Sequence, residues 1–169
     1  MPSYLRFDRW QNTAGTQYSN VIQTRFVSWT NVTTNNVEKT YTPLTGGTIT
    51  ITSTLASSKF LLMAHVNGYH NAGGGVNIGF NRVLSGTTTR LVGVDGSQGE
   101  SWMAEGNGST SNSFNIQRHW QDSPGVAAGT AITYNVLGGS WGASSTTAYF
   151  NYGGNYTLTS MFTILEIQP

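Results

Sequence analysis

The sequence has no cysteine in its 169 residues. That excludes a disulfide framework, a thiol nucleophile and thiolate metal sites. Charge is nearly as scarce: Asp, Glu, Lys and Arg make up 9% of the chain, eight basic against seven acidic, for a formal net charge of +1. The basic residues form no stripe that could neutralise a phosphate backbone, so nucleic-acid binding has no support. No apolar stretch approaches the ~20 residues that a helix needs to cross a bilayer, so no membrane insertion is expected. The opening "MPSYLRFDRWQNTAG" lacks a basic start followed by an apolar core, which predicts synthesis in a cytoplasm without a cleaved export signal. Apolar residues amount to only 37%. Solubility must therefore come from Ser, Thr and Asn, or from an assembly that hides surface.

What is present points to strands. Twenty-one Gly, with abundant Thr and Asn, are poor helix material but good strand-and-turn material. Aromatic residues reach 12%, so the core is expected to be aromatic and β-branched. Period-two alternation recurs in "VIQTRFVSW" (21–29), "GTITITS" (47–53), "VNIGFNRVL", "SFNIQRHWQ" and "AITYNVLG". "KFLLMAHVN" (59–67) is more continuously apolar and reads as a strand covered on both faces. "TPLTGG", "NGYHNAGGG", "LSGTTT", "VDGSQGE", "EGNGSTSN", "DSPGVAAG", "GGSWGASS" and "NYGGN" read as turns. Eight or so strands at this spacing predict an all-β sandwich or barrel over residues 21–169. Residues 1–20 have no tidy alternation but carry Tyr4, Phe7 and Trp10. They read either as an irregular lead-in packed on the sandwich or as an arm that docks onto another protein.

Chemistry-bearing patterns are few. "GGSWG" (138–142) matches G-x-S-x-G with Ser140 as the nucleophile, but that pattern works only as a strand–turn–helix elbow. Here "ASSTTAYFNYGG" follows and reads as strand, so a Gly-rich hairpin turn is expected instead. His65, His70 and His119 lack the spacing of a metal site. Asp95, Glu100 and Glu105 are the only local acidic cluster; loop solvation is the favoured role over a calcium site. Asp122 in "QDSPG" reads as structural, its carboxylate accepting local backbone N–H bonds. No catalytic residue, metal or cofactor is assigned, and no enzymatic reading is supported. Tyr69, Trp102, Trp141, Tyr152 and Tyr156 sit in Gly- and Asn-rich stretches. Such aromatics suit stacking on a glycan, and equally suit the sealing of subunit interfaces.

The runs "ITSTLASSKFLLMAHVNG", "NIGFNRVLSGT", "QDSPGVAAGTAITYNVLGG" and the terminal "TILEI" resemble virion structural proteins of tailed bacteriophages. Those domains are similar to the trimeric jelly rolls of complement globular heads and tumour-necrosis-factor-like proteins. The resemblance covers roughly Val21 to Ile167. It implies an antiparallel jelly-roll β-sandwich, a homotrimer, and a place on the virion surface after synthesis in the host bacterial cytoplasm. It supplies no active site. Capsid decoration or a short head or tail appendage fits the lead segment running straight into the domain, with Tyr4, Arg6, Phe7, Asp8, Arg9 and Trp10 docking on other virion proteins. A receptor-binding adhesin at a tail-fibre tip, recognising host glycan, is the alternative.

The most apolar run, Met161 to Ile167, lies at the C-terminus, where chains usually fray. Both faces of this strand carry large apolar groups. Met161, Phe162, Ile164, Leu165 and Ile167 are therefore expected to serve the core and a three-fold contact together.

Overall fold

The computed structural model describes residues 21–36, 40–71, 74–92, 103–104, 112–142 and 147–168. Tyr4 to Trp10, Asp95, Glu100, Trp102 and Glu105 lie outside the described residues. Eleven strands are present among those described: β1 (Val21–Trp29), β2 (Thr33–Asn35), β3 (Tyr41–Thr52), β4 (Lys59–His70), β5 (Gly74–Leu84), β6 (Thr87–Val92), β7 (Met103–Ala104), β8 (Asn112–Asp122), β9 (Ala131–Gly142), β10 (Ala148–Phe150) and β11 (Ser160–Ile167). All pair antiparallel in two sheets packed as a sandwich.

The pairing of the eight long strands gives the topology. In chain order they are β1, β3, β4, β5, β6, β8, β9 and β11. The first pairs with the last (β1 with β11), the second with the seventh (β3 with β9), the third with the sixth (β4 with β8) and the fourth with the fifth (β5 with β6). A chain paired in this way is one long hairpin; bending it over joins β11 to β4 and β9 to β5. That is a jelly roll, as expected. The six-stranded sheet is β1-β11-β4-β8, with β10 taking the place of β11 at the far end of β4 and β2 pairing with β10. The other sheet is β3-β9-β5-β6, with β7 beside β5.

The period-two pattern specifies the core. Ile49 and Ile51, Phe60, Leu62 and Val66, Ile78 and Phe80, Ile132, Tyr134 and Val136, and Phe162 and Ile164 all point between the sheets and are buried. Rings bridge the two layers: Phe80 stacks on Phe162 at 5.7 Å, and Phe60 lies 5.9 Å from Tyr134. Trp29 closes one edge, its side chain lying against Gly46 and Gly47.

Strand limits differ from the sequence reading where glycine does not turn the chain. β4 continues through Gly68, Tyr69 and His70, and β9 through Gly138, Gly139 and Ser140. At Gly68 a Cβ would stand 2.3 Å from the Phe114 ring and 2.3 Å from the Tyr149 carbonyl. At Gly138 it would meet Phe150 at 2.5 Å and Leu44 at 2.6 Å. These glycines make room for aromatic side chains inside an extended strand. β4 is also not covered on both faces: its inward residues are buried and its outward ones half-buried.

Two polar clamps hold the layers. Glu166 on β11 is fully buried, although it carries a charge. Its Oε1 accepts from the Thr54 N–H at 2.7 Å and the Leu55 N–H at 3.3 Å, and its Oε2 accepts from Gln23 Nε2 at 2.6 Å. Burial works to raise its pKa, but hydrogen bonds from Ser58, Gln23 and Thr54 outweigh it and lower the carboxyl to about 2. The second clamp is Asp122, which accepts from Arg82 Nη1 at 2.8 and 2.9 Å and from the Tyr134 hydroxyl at 2.8 Å. Its role is structural, but its partners come from the opposite sheet instead of the local turn. The reason is orientation: Asp122 ends β8 on the buried face. Burial, then the Asp122 charge and hydrogen bond, push the Tyr134 phenol well above its ordinary range, with Arg82 opposing.

Candidate functional site

The outer face of the six-stranded sheet carries two distinct surfaces along β4. Registers align the rows at the first. Phe26, Thr163, Met63 and His119 lie side by side; so do Ser28, Met161, His65 and Gln117, and then Thr24, Leu165, Leu61 and Gln121. None of these twelve positions holds Asp, Glu, Lys or Arg. Phe26 is 58% exposed and Met161 is 40% exposed. A shallow depression of about 420 Å³ lies among Leu61, Met63, His65, Gln117, His119 and Met161, with Arg118, whose guanidinium reaches inward to Asn77 and Ile78, also in its lining.

β11 therefore divides between two duties. Phe162 and Ile164 are buried in the chain's own core, whereas Met161, Leu165 and Ile167 face outward. This alternation divides the five residues named in the sequence between the core and the outer surface. Only the outward three are placed to meet another molecule. The strand is protected from fraying because it lies inside the sheet, hydrogen-bonded to β1 on one edge and β4 on the other.

At the other end of β4 the neighbour is β10, and the outward residues are tyrosines. Tyr69 is the direct cross-strand partner of Tyr149, which in turn faces Thr34 on β2. The Tyr69 and Tyr149 rings are 6.1 Å apart and tilted by 45°, and Tyr149 and Tyr152 are 5.7 Å apart and tilted by 50°. With Val32, Thr34, Asn71 and Gly154 they line a groove of about 550 Å³. Among the described residues none of the three phenol hydroxyls has a hydrogen-bond partner within the chain.

The turn after β10 sets this groove. Asn151, fully buried, adopts a left-handed φ of 61°, a conformation that Asn tolerates better than most residues. Its N–H donates to the Asn67 carbonyl at 2.7 Å, its Nδ2 donates to the Asn31 carbonyl at 2.9 Å, and its Oδ1 accepts from the Ser160 hydroxyl. One residue thus fixes Tyr152, which follows it, and the segment carrying Val32. On the opposite rim the Thr147 N–H donates to Asn71 Oδ1 at 2.8 Å, which orients the Asn71 carboxamide.

Of the aromatics singled out in the sequence, Tyr69 and Tyr152 come together. Tyr156 does not; it is 70% exposed and borders a separate hollow with Phe114 and Leu158. Trp141 lies on β9, in the other sheet. Tyr149, the middle ring of the groove, was missed because "TTAYFNY" gives no sign of pairing with β4. Tyr69 lies on a strand and not in a loop, held there by the close approach at Gly68.

The remaining candidates resolve into structure. Ser140 is buried on β9 and its hydroxyl donates to Asn35 Oδ1 at 3.2 Å. No helix follows it among the described residues, so the nucleophile-elbow geometry is absent there, and so is the expected hairpin turn. His70 is buried between the sheets, while His65 and His119 are on the outer face. No group of three or more His, Cys, Asp or Glu is placed to hold a metal among the described residues. Among them also, no helix is long and apolar enough to cross a membrane.

A scan of protein-family models and a search of curated proteins both find no match. Among solved structures, the chain is similar to the structure of infectious bursal disease virus Gx strain, at 12% identity and a TM-score of 0.33. That alignment takes in 99% of this chain and 44% of the viral one. It is also similar to a mutant VP2 protein of infectious bursal disease virus in T=1 particles, at 13% identity and a TM-score of 0.30, over 98% of this chain and 40% of that one. The chain spans less than half the length of either. Its jelly-roll assignment rests on strand order and register.

Proposed function

We propose that this chain is a non-enzymatic virion structural protein of a tailed bacteriophage. It forms a homotrimeric jelly roll on the particle surface, as capsid decoration or as a short head or tail appendage. The observation that carries the reading is the outer face of β1, β11, β4 and β8. It has no Asp, Glu, Lys or Arg over three rows, and it sets Phe26, Leu61, Met63, Met161 and Leu165 among Ser, Thr, Gln and His around the last strand. Copies of one chain that meet through such a face bring no like charges together. Phe26 and Met161 are only 58% and 40% exposed, so covering each contributes about half of the roughly 1.5–3 kcal/mol of a full burial. The resemblance to phage virion proteins supplies the setting. Residues 1–20, with Tyr4, Arg6, Phe7, Asp8, Arg9 and Trp10, dock the trimer on capsid or tail proteins.

Native mass spectrometry at micromolar concentration tests the assembly: a trimer is expected for the natural chain, and a clean monomer overturns it. Leu165→Asp should give a folded monomer. Stoichiometric binding to capsid shells, lost on deleting residues 2–12, tests the docking arm. A second reading, a receptor-binding adhesin, is favoured by the tyrosine groove, and one sheet can serve both.

A further inference from the structure

We propose that the groove of Tyr69, Tyr149 and Tyr152 is a binding site for a neutral saccharide. This deepens the receptor-binding reading and is independent of whether the chain trimerises. The first argument is shape. The three rings are tilted, 45° between Tyr69 and Tyr149 and 50° between Tyr149 and Tyr152, so they do not form a flat stack, and they line one hollow. The groove volume of about 550 Å³ lies within the roughly 300–1,000 Å³ of ligand pockets.

Charge and hydrogen bonding narrow the ligand class. Among the described residues no Asp, Glu, Lys, Arg or His lines the groove, so no described side chain there would compensate an ionised ligand for lost hydration. A sugar ring has an apolar C–H face that rests on an aromatic ring and a rim of hydroxyls that both donate and accept. The three phenol hydroxyls, without hydrogen-bond partners among the described residues, provide that mixed rim. A proline-rich segment, the other common occupant of aromatic grooves, has no N–H donor at its prolines and so matches the acceptor oxygens of the rim less fully than a sugar does.

Preorganisation is the third argument. Tyr149 is held between β4 and β2, Tyr152 follows the locked Asn151, and the Asn71 amide is fixed by Thr147. Little ordering is left for the ligand to impose, which suits a small polar ligand of modest contact area.

The purified full-length chain should be tested on an array of oligosaccharides of glucose, galactose and N-acetylglucosamine, neutral and sulfated, with calorimetry on the best binder. Saturable binding of a neutral sugar is expected, weakened about tenfold or more by Tyr149→Ala and only a few-fold by Tyr149→Phe, which keeps the ring. Saturation-transfer NMR on the natural chain provides a check that needs no variant: the sugar C–H protons should receive more transfer than the remote substituents. An array blank at millimolar sugar overturns the site, as does binding indifferent to Tyr149→Ala in a folded variant. Preference for the sulfated set, or for a proline-rich peptide panel, overturns the ligand class. If Tyr149→Ala abolishes adsorption to host cells while the array stays blank, the saccharide assignment fails and the receptor reading survives.

Discussion

Strand β4 runs the length of one sheet and meets a different neighbour at each end of its outer face. From Lys59 to His65 that neighbour is β11; from Gly68 to His70 it is β10. Beside β11 the outward side chains include Leu61, Met63, Met161 and Leu165, long and apolar, with His65 and Thr163 between them. Beside β10 they are the strand residues Tyr69 and Tyr149, joined by Tyr152 from a turn that a buried asparagine locks. A flat, uncharged surface gains only when something equally broad covers it, as a copy of the same chain does. A concave site with fixed amides and unpartnered hydroxyls can hold something small. The difference comes from the neighbouring element and not from β4, whose inward residues are buried at both ends.

The comparison breaks most sharply on two adjacent residues of β11. Ile164→Ala should cost the folded monomer about 2–5 kcal/mol in denaturant unfolding, since it empties a fully buried position. Leu165→Asp should cost the dilute monomer less, about 1–2 kcal/mol from strand propensity and half-buried apolar area, yet abolish assembly. If both variants unfold equally, the inner and outer faces have not been separated correctly.

Glu166 anchors the end of that strand, and its effect is next in size. Its folded pKa of about 2 lies below the ordinary carboxylate value near 4.5. The carboxylate therefore contributes stability that is present above about pH 5 and lost as pH falls from about 4.5 towards 2. The contribution is on the order of 3 kcal/mol. Glu166→Gln should remove most of it at neutral pH, and should flatten the acid limb of a stability-against-pH curve between those values.

These two predictions also show what was legible in advance. Period-two alternation found β1 to the residue, and the core faces of β5, β8 and β9, because burial on one face writes that period directly. The eight-strand count pointed to a sandwich for the same reason. Glu166 was not legible as a clamp, since its partners at 23, 54 and 55 are brought to it only by the bend of the long hairpin. Short strands such as β2 and β10 carry too few residues to show a period. Gly68 and Gly138 misled because glycine marks turns and close approaches alike, and only the neighbouring Phe114 and Phe150 distinguish the two. Tyr69 and Tyr152 could be named as aromatics of interest, but the middle ring, Tyr149, follows from register.

At the groove end, Asn151→Ala tests the locked turn. It removes hydrogen bonds to the Asn31 carbonyl and the Ser160 hydroxyl, and places alanine at a φ of 61°. A loss of about 2 kcal/mol in stability is expected. Saccharide binding should fall with the displaced Tyr152, while the trimer mass by native mass spectrometry stays unchanged. Equal loss of both functions would mean that the two ends of the face are not independent.

The smallest effect belongs to Tyr156. In the sequence it was a candidate on the same footing as Tyr69 and Tyr152, and it is the most exposed of the three at 70%. Exposure alone would make it the best sugar platform. The geometry argues otherwise: its hollow is shared with Asn67, Asn115 and Leu158, outside the three-tyrosine groove. Tyr156→Ala should therefore shift stability by no more than about 0.5 kcal/mol and leave saccharide affinity within twofold. A larger loss of affinity at Tyr156 than at Tyr149 would move the binding surface from the β4–β10 groove to the turn beyond it.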